Sequence, residues 1–528
     1  MVLSLRPDSD ARPESAPRAR GAIGPVLLVA AALLLAYVVI YPLFGLHVTI
    51  GSDTPVYVWW ARLAGAAGLG PLGSGARPGV VGLVATLARV TPAPAAGVVA
   101  GLLPALAVAT GLAAGALVDV ALGPDRVRFV LVASFTGAYL SLLADGYVST
   151  LAFGAAFVAA LACFGAALPD GTGASGRHPA PALVAGGGLV SAAGLSHPLL
   201  LALGAGVLGT GLLAMVPGAI RQHRAGAGFG ALAVVRILVA SLAGVAAVAL
   251  GLLSAGGFEG TPVETSRDAF LRAAGLGSLL RSSYLHKLRH DFPWYRVVTI
   301  VGLAATALGV ARRTPRHAAD RWALFWGAML GWIVVSAGGV FLLFAGTSAP
   351  GQRLLAFCLA LPILGGIGLA WIWHGAHAAD DAAGDAAPGA HGARSAPWRR
   401  VAVIAGGCLF LGLAWGRWLG LRPQVSPEVL TQARDAGIAL SRTPPGTPLA
   451  VVIDPRGEQP AELAIRYDAY LRDEVPPQDI PLVHVVVGAV PDVLARRPTV
   501  TGDPEYDAFS RFSIAEVRGL AQTPLSVA

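Results

Sequence analysis

The sequence predicts an all-α polytopic membrane protein of about eleven transmembrane helices, followed by a small extracytoplasmic α/β domain. Three observations carry this reading. Hydrophobic residues make up 55% of the 528 and charged residues only 13%, whereas soluble chains average about 25% charged; mean hydropathy is +0.66. Apolar runs of about 20 residues recur, each long enough to cross about 30 Å of hydrocarbon. The charge balance also changes sign along the chain. Residues 1–421 hold 28 Lys and Arg against 16 Asp and Glu, while residues 422–528 hold 10 against 14. These features exclude a soluble enzyme, a disordered chain and a nucleic-acid binder as readings of the whole. The net charge of +8 belongs to membrane loops, where it sets orientation, and is no sign of nucleic acid.

Taken in order, residues 1–23 form a cytoplasmic tail carrying Arg6, Arg12, Arg18 and Arg20. No small-residue cleavage site follows the next apolar run, so it reads as a retained first span. The spans expected in the membrane domain, 24–421, are 24–44, 93–122, 128–145, 147–168, 181–197, 199–217, 237–255, 296–311, 323–346, 354–374 and 401–421. The run 78–90 is too short to span and reads as a half-buried interfacial or re-entrant helix. Arginines concentrate in alternate loops, at Arg126 and Arg128, Arg221 and Arg224, Arg312 to Arg321, and Arg394 to Arg400. The positive-inside rule then places the N-terminus in the cytoplasm of a cell whose plasma membrane the chain crosses, and the C-terminal domain outside.

Two outer loops are long, 46–92 and 256–295. The stretch 375–400 is rich in Ala, Gly, His and Asp; its histidines, His374 (just before it), His377 and His391, read as part of a solvated low-complexity linker. Cys163, Cys358 and Cys408 all lie in apolar runs and form neither a disulfide framework nor a CxxC site. In the domain 422–528, PLAVVID and PLVHVVVGAV read as buried strands alternating with amphipathic helices. No GxGxxG, P-loop or nucleophile elbow occurs there, so it reads as a lid or acceptor-docking module.

Acids are the scarce resource in the membrane domain. Before residue 256 two are expected outside, Asp53 and Asp145, each just beyond the outer end of a span. A carboxylate near lipid costs several kcal/mol without partners or water, so both are functional candidates. Asp53 precedes Thr54 and Pro55, a helix start, and Tyr57, Trp59 and Trp60 follow as interfacial aromatics. Capping and catalysis are both open to Asp53 and are compatible. Asp119 reads as a solvated or paired residue at a cytoplasmic helix end. Asp291 reads as part of a turn or local ion pair.

The first span, the outer acid and the interfacial aromatic helix together resemble the GT-C superfamily of polytopic membrane glycosyltransferases, in an actinobacterial-like form. So do SLLADGYVSTLAF around Asp145, SHPLLL with His197, and GQRLLAF with Arg353. The resemblance covers the architecture of roughly residues 24–421. It implies an inverting transfer of a sugar from a polyprenyl-phosphate donor to an extracytoplasmic acceptor hydroxyl on a glycan, lipid or protein, in cell-envelope biogenesis. It makes Asp53 the general base, with Asp145 the second acid. No further acid adjoins either, and the resemblance leaves a divalent metal open; no cofactor is called for. The second outer loop is short for the oligosaccharyltransferase branch. Cations at headgroup depth suit a departing lipid phosphate, and Arg353, Lys287, Arg289 and Arg267 are the candidates, with Tyr57, His197 and His290 in the substrate pocket. Attraction to anionic headgroups, about 1 kcal/mol per cation, explains such residues equally simply.

Two other classes fit the composition. A secondary transporter or non-catalytic assembly protein would share the Gly-rich spans. A polymer ligase would rely on the Arg/His loop 281–296 and dispense with Asp53.

Overall fold

The computed structural model describes residues 23–39, 54–67, 77–140, 147–169, 178–224, 229–254, 319–343 and 358–374, scattered positions between 401 and 416, and two strands. The membrane part is helical: α1 (Ile23–Val38), α2 (Thr54–Ala67), α3 (Pro78–Val90), α4 (Ala95–Leu122), α5 (Arg126–Tyr139), α6 (Val148–Ala167), α7 (Ala180–Ser196), α8 (Pro198–Arg224), α9 (Phe229–Ser254), α10 (Ala319–Leu343) and α11 (Ala360–His374). Among the described residues four helices are long and apolar enough to cross a membrane, within α4, α6, α8 and α9. Their lengths follow from uninterrupted Ala, Val, Leu and Gly, at 1.5 Å of rise per residue. The short run 78–90 is a 13-residue helix, about 20 Å long. It buries Pro78, Val80, Val81 and Val84 on one side.

The helix expected from 354 begins at Ala360, and two boundaries differ by more. The span expected to stop at residue 217 continues to Arg224 with Pro217 inside it. A proline removes one helical hydrogen bond, but inside a bundle neighbouring groups tolerate the break and the helix persists. The span expected from 237 starts at Phe229 and carries Arg236 within it.

Helix α6 lies at the centre, with Phe153, Phe157, Leu161 and Phe164 all buried. Around it, helices meet at small residues. A Cβ on Gly111 would come 2.5 Å from the Ala133 carbonyl oxygen of α5, and one on Gly366 would come 2.6 Å from Cα of Val132. A Cβ on Gly187 of α7 would come 2.8 Å from Ala240 O of α9, and there Ser191 Oγ donates at 3.1 Å both to Gly187 O in its own helix and to Gly244 O across the crossing. Such close backbone approach is how helices associate where lipid supplies no hydrophobic drive. Helix α9 turns Val239, Leu242, Leu250 and Leu253 outward, a face suited to acyl chains.

Contacts fix the directions. Gly165 near the end of α6 meets Val120 near the end of α4, while Gly79 at the start of α3 meets Leu195 at the end of α7. Gly230 at the start of α9 faces Gln222 of α8, and Gly251 near its end faces Leu195. One end of the bundle therefore holds the α4–α5 turn, the ends of α6 and α8, and the starts of α9 and α10. The other holds the starts of α3, α6 and α8 and the end of α7. Helix α9 finishes at the end opposite to where α10 begins, as the span expected at 296–311 requires. That span lies outside the described residues.

The first of these ends is the basic one, with Arg126, Arg128, Arg221, Arg224 and Arg321. Its chain turns are closed by polar side chains. Asp125 caps α5, accepting from the backbone N–H groups of Val127 at 3.0 Å and Arg128 at 3.2 Å. Asp119 accepts from Asp125 N–H at 3.3 Å, and the Arg128 guanidinium donates to Gly123 O. Arg321 donates from Nε and Nη2 to Leu168 O at 3.0 and 2.6 Å, closing the end of α6. Buried Asp320 accepts from Gln222 Nε2 at 3.2 Å; Gly218 leaves room for its carboxylate.

In the C-terminal region, β1 (Leu449–Ile453) and β2 (Val483–Val487) pair in parallel, with Leu449 opposite Val483 and Ile453 opposite Val487. These are the two stretches read as strands. Parallel pairing requires a crossover connection. The rest of 422–528 lies outside the described residues.

The α8–α10 crossing gives a stability test. A side chain at Gly327 would meet Ala214 Cβ at 2.6 Å and Thr210 O at 2.8 Å. Gly327→Val is expected to cost about 1–3 kcal/mol by overpacking, lowering the apparent Tm of detergent-purified protein. Gly101→Ala, where a Cβ meets nothing within 4 Å, should leave it unchanged or raised.

Candidate functional site

The end of the bundle opposite the basic one carries a polar cluster built from three elements. Helix α2 buries Tyr57, Val58, Ala61 and Ala64, a helical stripe. Tyr57 is 1% exposed, and its ring meets Trp60 edge-on at 5.7 Å. Its hydroxyl donates to Ser149 Oγ at 2.9 Å, joining α2 to the first turn of α6. Arg77, immediately before α3, donates from Nη1 to Tyr57 Oη and, at 2.8 Å, to Ser149 Oγ. Thr54 and Ser149 are both 0% exposed.

Arg77 has φ 53° and ψ 68°, the one non-glycine positive φ among the described residues. That conformation costs an ordinary residue roughly 1–2 kcal/mol. The following Pro78 favours extended backbone at residue 77 instead. A residue held against both preferences is fixed by its surroundings. Helices α2 and α3 run side by side in the same direction, joined at their starts by Arg77 and Tyr57. At their ends Arg89 donates to Gly65 O, a cation on the carbonyl end of a helix.

His197 lies on the adjoining element, at the junction of α7 and α8. Its Nδ1 accepts from Leu200 N–H at 3.4 Å and its carbonyl from Leu201 N–H at 3.1 Å. This is an N-cap for α8, with Pro198 in the first helical position. The residue expected in a substrate pocket thus holds two helices in register. Its neighbour Leu195 packs against Gly79, so the junction and the Arg77 cluster share one end of the fold.

A narrow apolar niche with room for about one water-sized molecule lies between α6, α8 and α10, lined among others by Phe153, Phe157, Gly204 and Trp332. It begins one turn along α6 from Ser149. Phe157 stacks on Phe153 at 5.3 Å and meets Trp332 edge-on at 5.5 Å.

Of the residues singled out in the sequence, Asp53, Asp145, Arg267, Lys287, Arg289, His290 and Arg353 lie outside the described residues, as do the whole of the loop 256–295 and parts of the loop 46–92. The structure brings Tyr57 together with Ser149 and Arg77, two residues that sequence reasoning missed. Ser149 is 92 positions from Tyr57 and gives no local signal. Arg77 had a weak one, a single cation between a glycine-rich stretch and a proline that opens an apolar helix. Among the described residues no group of three His, Cys, Asp or Glu could hold a metal ion.

No protein-family model and no curated protein matches the chain. The solved structures similar to it in fold include two of the Archaeoglobus fulgidus oligosaccharyltransferase. The apo form matches with a TM-score of 0.50 over 88% of this chain and 65% of that one. The form tethered through a disulfide bond to an acceptor peptide containing the NVT sequon matches with a TM-score of 0.52, over 88% and 64%. Sequence identity is 12% in both. The chain thus spans just under two thirds of the length of those proteins. The likeness is one of fold.

The capping role of His197 has a direct test. His197→Ala should lower stability by about 1 kcal/mol, and His197→Asn, which keeps an N-cap acceptor, should lower it far less. Thermal unfolding of the purified protein reads both; equal losses would contradict the cap.

Proposed function

We propose that this chain is a membrane glycosyltransferase that moves a sugar from a polyprenyl-phosphate donor to an acceptor hydroxyl on the outer side of the plasma membrane. The observation that carries the reading is the 2.9 Å hydrogen bond between Tyr57 and Ser149. Asp53 is bonded directly to Thr54, one turn before Tyr57, and Asp145 lies four residues before Ser149. Adjacent Cα atoms are about 3.8 Å apart, so pinning Tyr57 to Ser149 also limits how far apart the two acids can lie. The likeness to an oligosaccharyltransferase fold supports the same class of chemistry.

In this reading the Asp53 carboxylate takes the proton of the acceptor hydroxyl. The acceptor oxygen attacks the anomeric carbon from the face opposite the phosphate. The bond from that carbon to the phosphate oxygen breaks, and polyprenyl phosphate leaves with the electron pair, so configuration inverts. Arg353, Lys287, Arg289 and Arg267 are the cations proposed to meet the charge that develops on the phosphate. The basic end of the bundle faces the cytoplasm, which puts the Arg77 cluster outside. A tethered acceptor peptide in one of the similar structures keeps protein acceptors in view beside glycans and lipids.

The test is sugar transfer in membranes from cells producing Asp53→Asn, supplied with a panel of labelled polyprenyl-phosphate hexoses and pentoses. Loss of a general base predicts a fall of roughly 10²- to 10⁴-fold with normal protein levels. Full transfer by Asp53→Asn would overturn the assignment and favour a polymer ligase working from the loop 281–296.

A further inference from the structure

Arg77 has no place in the scheme above, yet its environment is unusual. It is a part-buried guanidinium whose acceptors, Tyr57 Oη and Ser149 Oγ, are both neutral. Among the described residues no carboxylate pairs with it. Its backbone is held in the left-handed region immediately before a proline, against two local preferences. It belongs to neither helix it joins: it stands at the head of α3 and bridges α2 to α6. The second tie at the far end of the α2–α3 pair, from Arg89 to Gly65 O, makes that pair a single unit. Whatever fixes Arg77 against α6 therefore fixes α2 as well.

We propose that Arg77 is a positioning residue, a strut that sets the separation between the segments entering α2 and α6 and so between the two acids at their heads. The proposal rests on the reading of Asp53 as base for its effect on catalysis, but not for its mechanical part. Ser149 accepts from both Arg77 and Tyr57, so loss of the guanidinium leaves a single hydroxyl contact that can swing. A lysine reaches the same place with one nitrogen and three donors, enough to serve both oxygens. A glycine relaxes the backbone but supplies no strut.

The experiment uses the full chain in lipid nanodiscs, as wild type, Arg77→Ala, Arg77→Gly, Arg77→Lys and, in parallel, Asp53→Asn. Amide hydrogen exchange is read over residues 54–60 and 148–153, and transfer kinetics with the labelled donor panel. Arg77→Ala and Arg77→Gly should each raise exchange in both segments about tenfold, in line with the loss of charge-assisted bonds. They should also lower kcat by roughly 10- to 100-fold, as expected for a displaced reacting group, with KM nearly unchanged. Arg77→Lys should recover most of both effects. Unchanged exchange in the alanine and glycine variants would overturn the strut. So would wild-type exchange in the glycine variant alone, because the side chain would then be idle. Raised exchange with unchanged kcat would overturn the positioning role. If Asp53→Asn retains transfer, the base assignment fails by itself, and the exchange data still decide whether Arg77 ties the two segments.

Discussion

In hydrocarbon, helices gain nothing by hiding apolar side chains from one another, because lipid tails are as apolar as leucine. What remains is contact, and contact requires that backbones come close. This constraint governs the bundle. Gly111 against Ala133, Gly187 and Gly244 across the α7–α9 crossing, Gly327 against Thr210 and Gly366 against Val132 each bring one helix onto the main chain of another. At such distances dispersion acts over many atom pairs, and a serine can reach a carbonyl of the facing helix, as Ser191 reaches Gly244. Larger side chains fill what lies between, Phe153, Phe157 and Phe164 on α6 above all.

Charged side chains gather into contacts at the two ends, and these differ in kind. At the basic end Asp125 caps α5 and Arg321 closes α6, both meeting obligations of unsatisfied backbone groups, while Asp320 accepts from the side chain of Gln222. At the opposite end the Arg77 cluster satisfies side chains rather than helix termini. It joins elements far apart in sequence and holds one residue in a costly conformation. Strain maintained by a polar network is a feature associated with functional sites.

Much of the helical framework was legible because length and composition dictate it. Helices α4 and α6 are continuous apolar stretches, and α3 announced itself by being too short to span. The sequence reading ends one span at Pro217 and starts the next after Arg236, a breaker and a charge, and both helices run past them. Both signals are calibrated on water, and inside a bundle a helix persists past the one hydrogen bond a proline removes. The site was legible only in part. Tyr57 stood out as an interfacial aromatic, but nothing in the neighbourhood of Ser149 indicates which chain segment its hydroxyl meets. Arg77 was hidden in a Gly-Ser-Gly-Ala-Arg-Pro stretch that reads as a simple turn. His197 drew notice through the histidine of SHPLLL, where the proline after it was the better clue, marking a helix start that needs a cap.

Because α2 and α3 are fastened to each other at both extremities, their pairing does not rest on the connection between them. Changing the length of a connection alters closure entropy only slowly. Evolution can therefore lengthen, trim or recharge the sequence between Ala67 and Arg77 at little risk to the parallel pair.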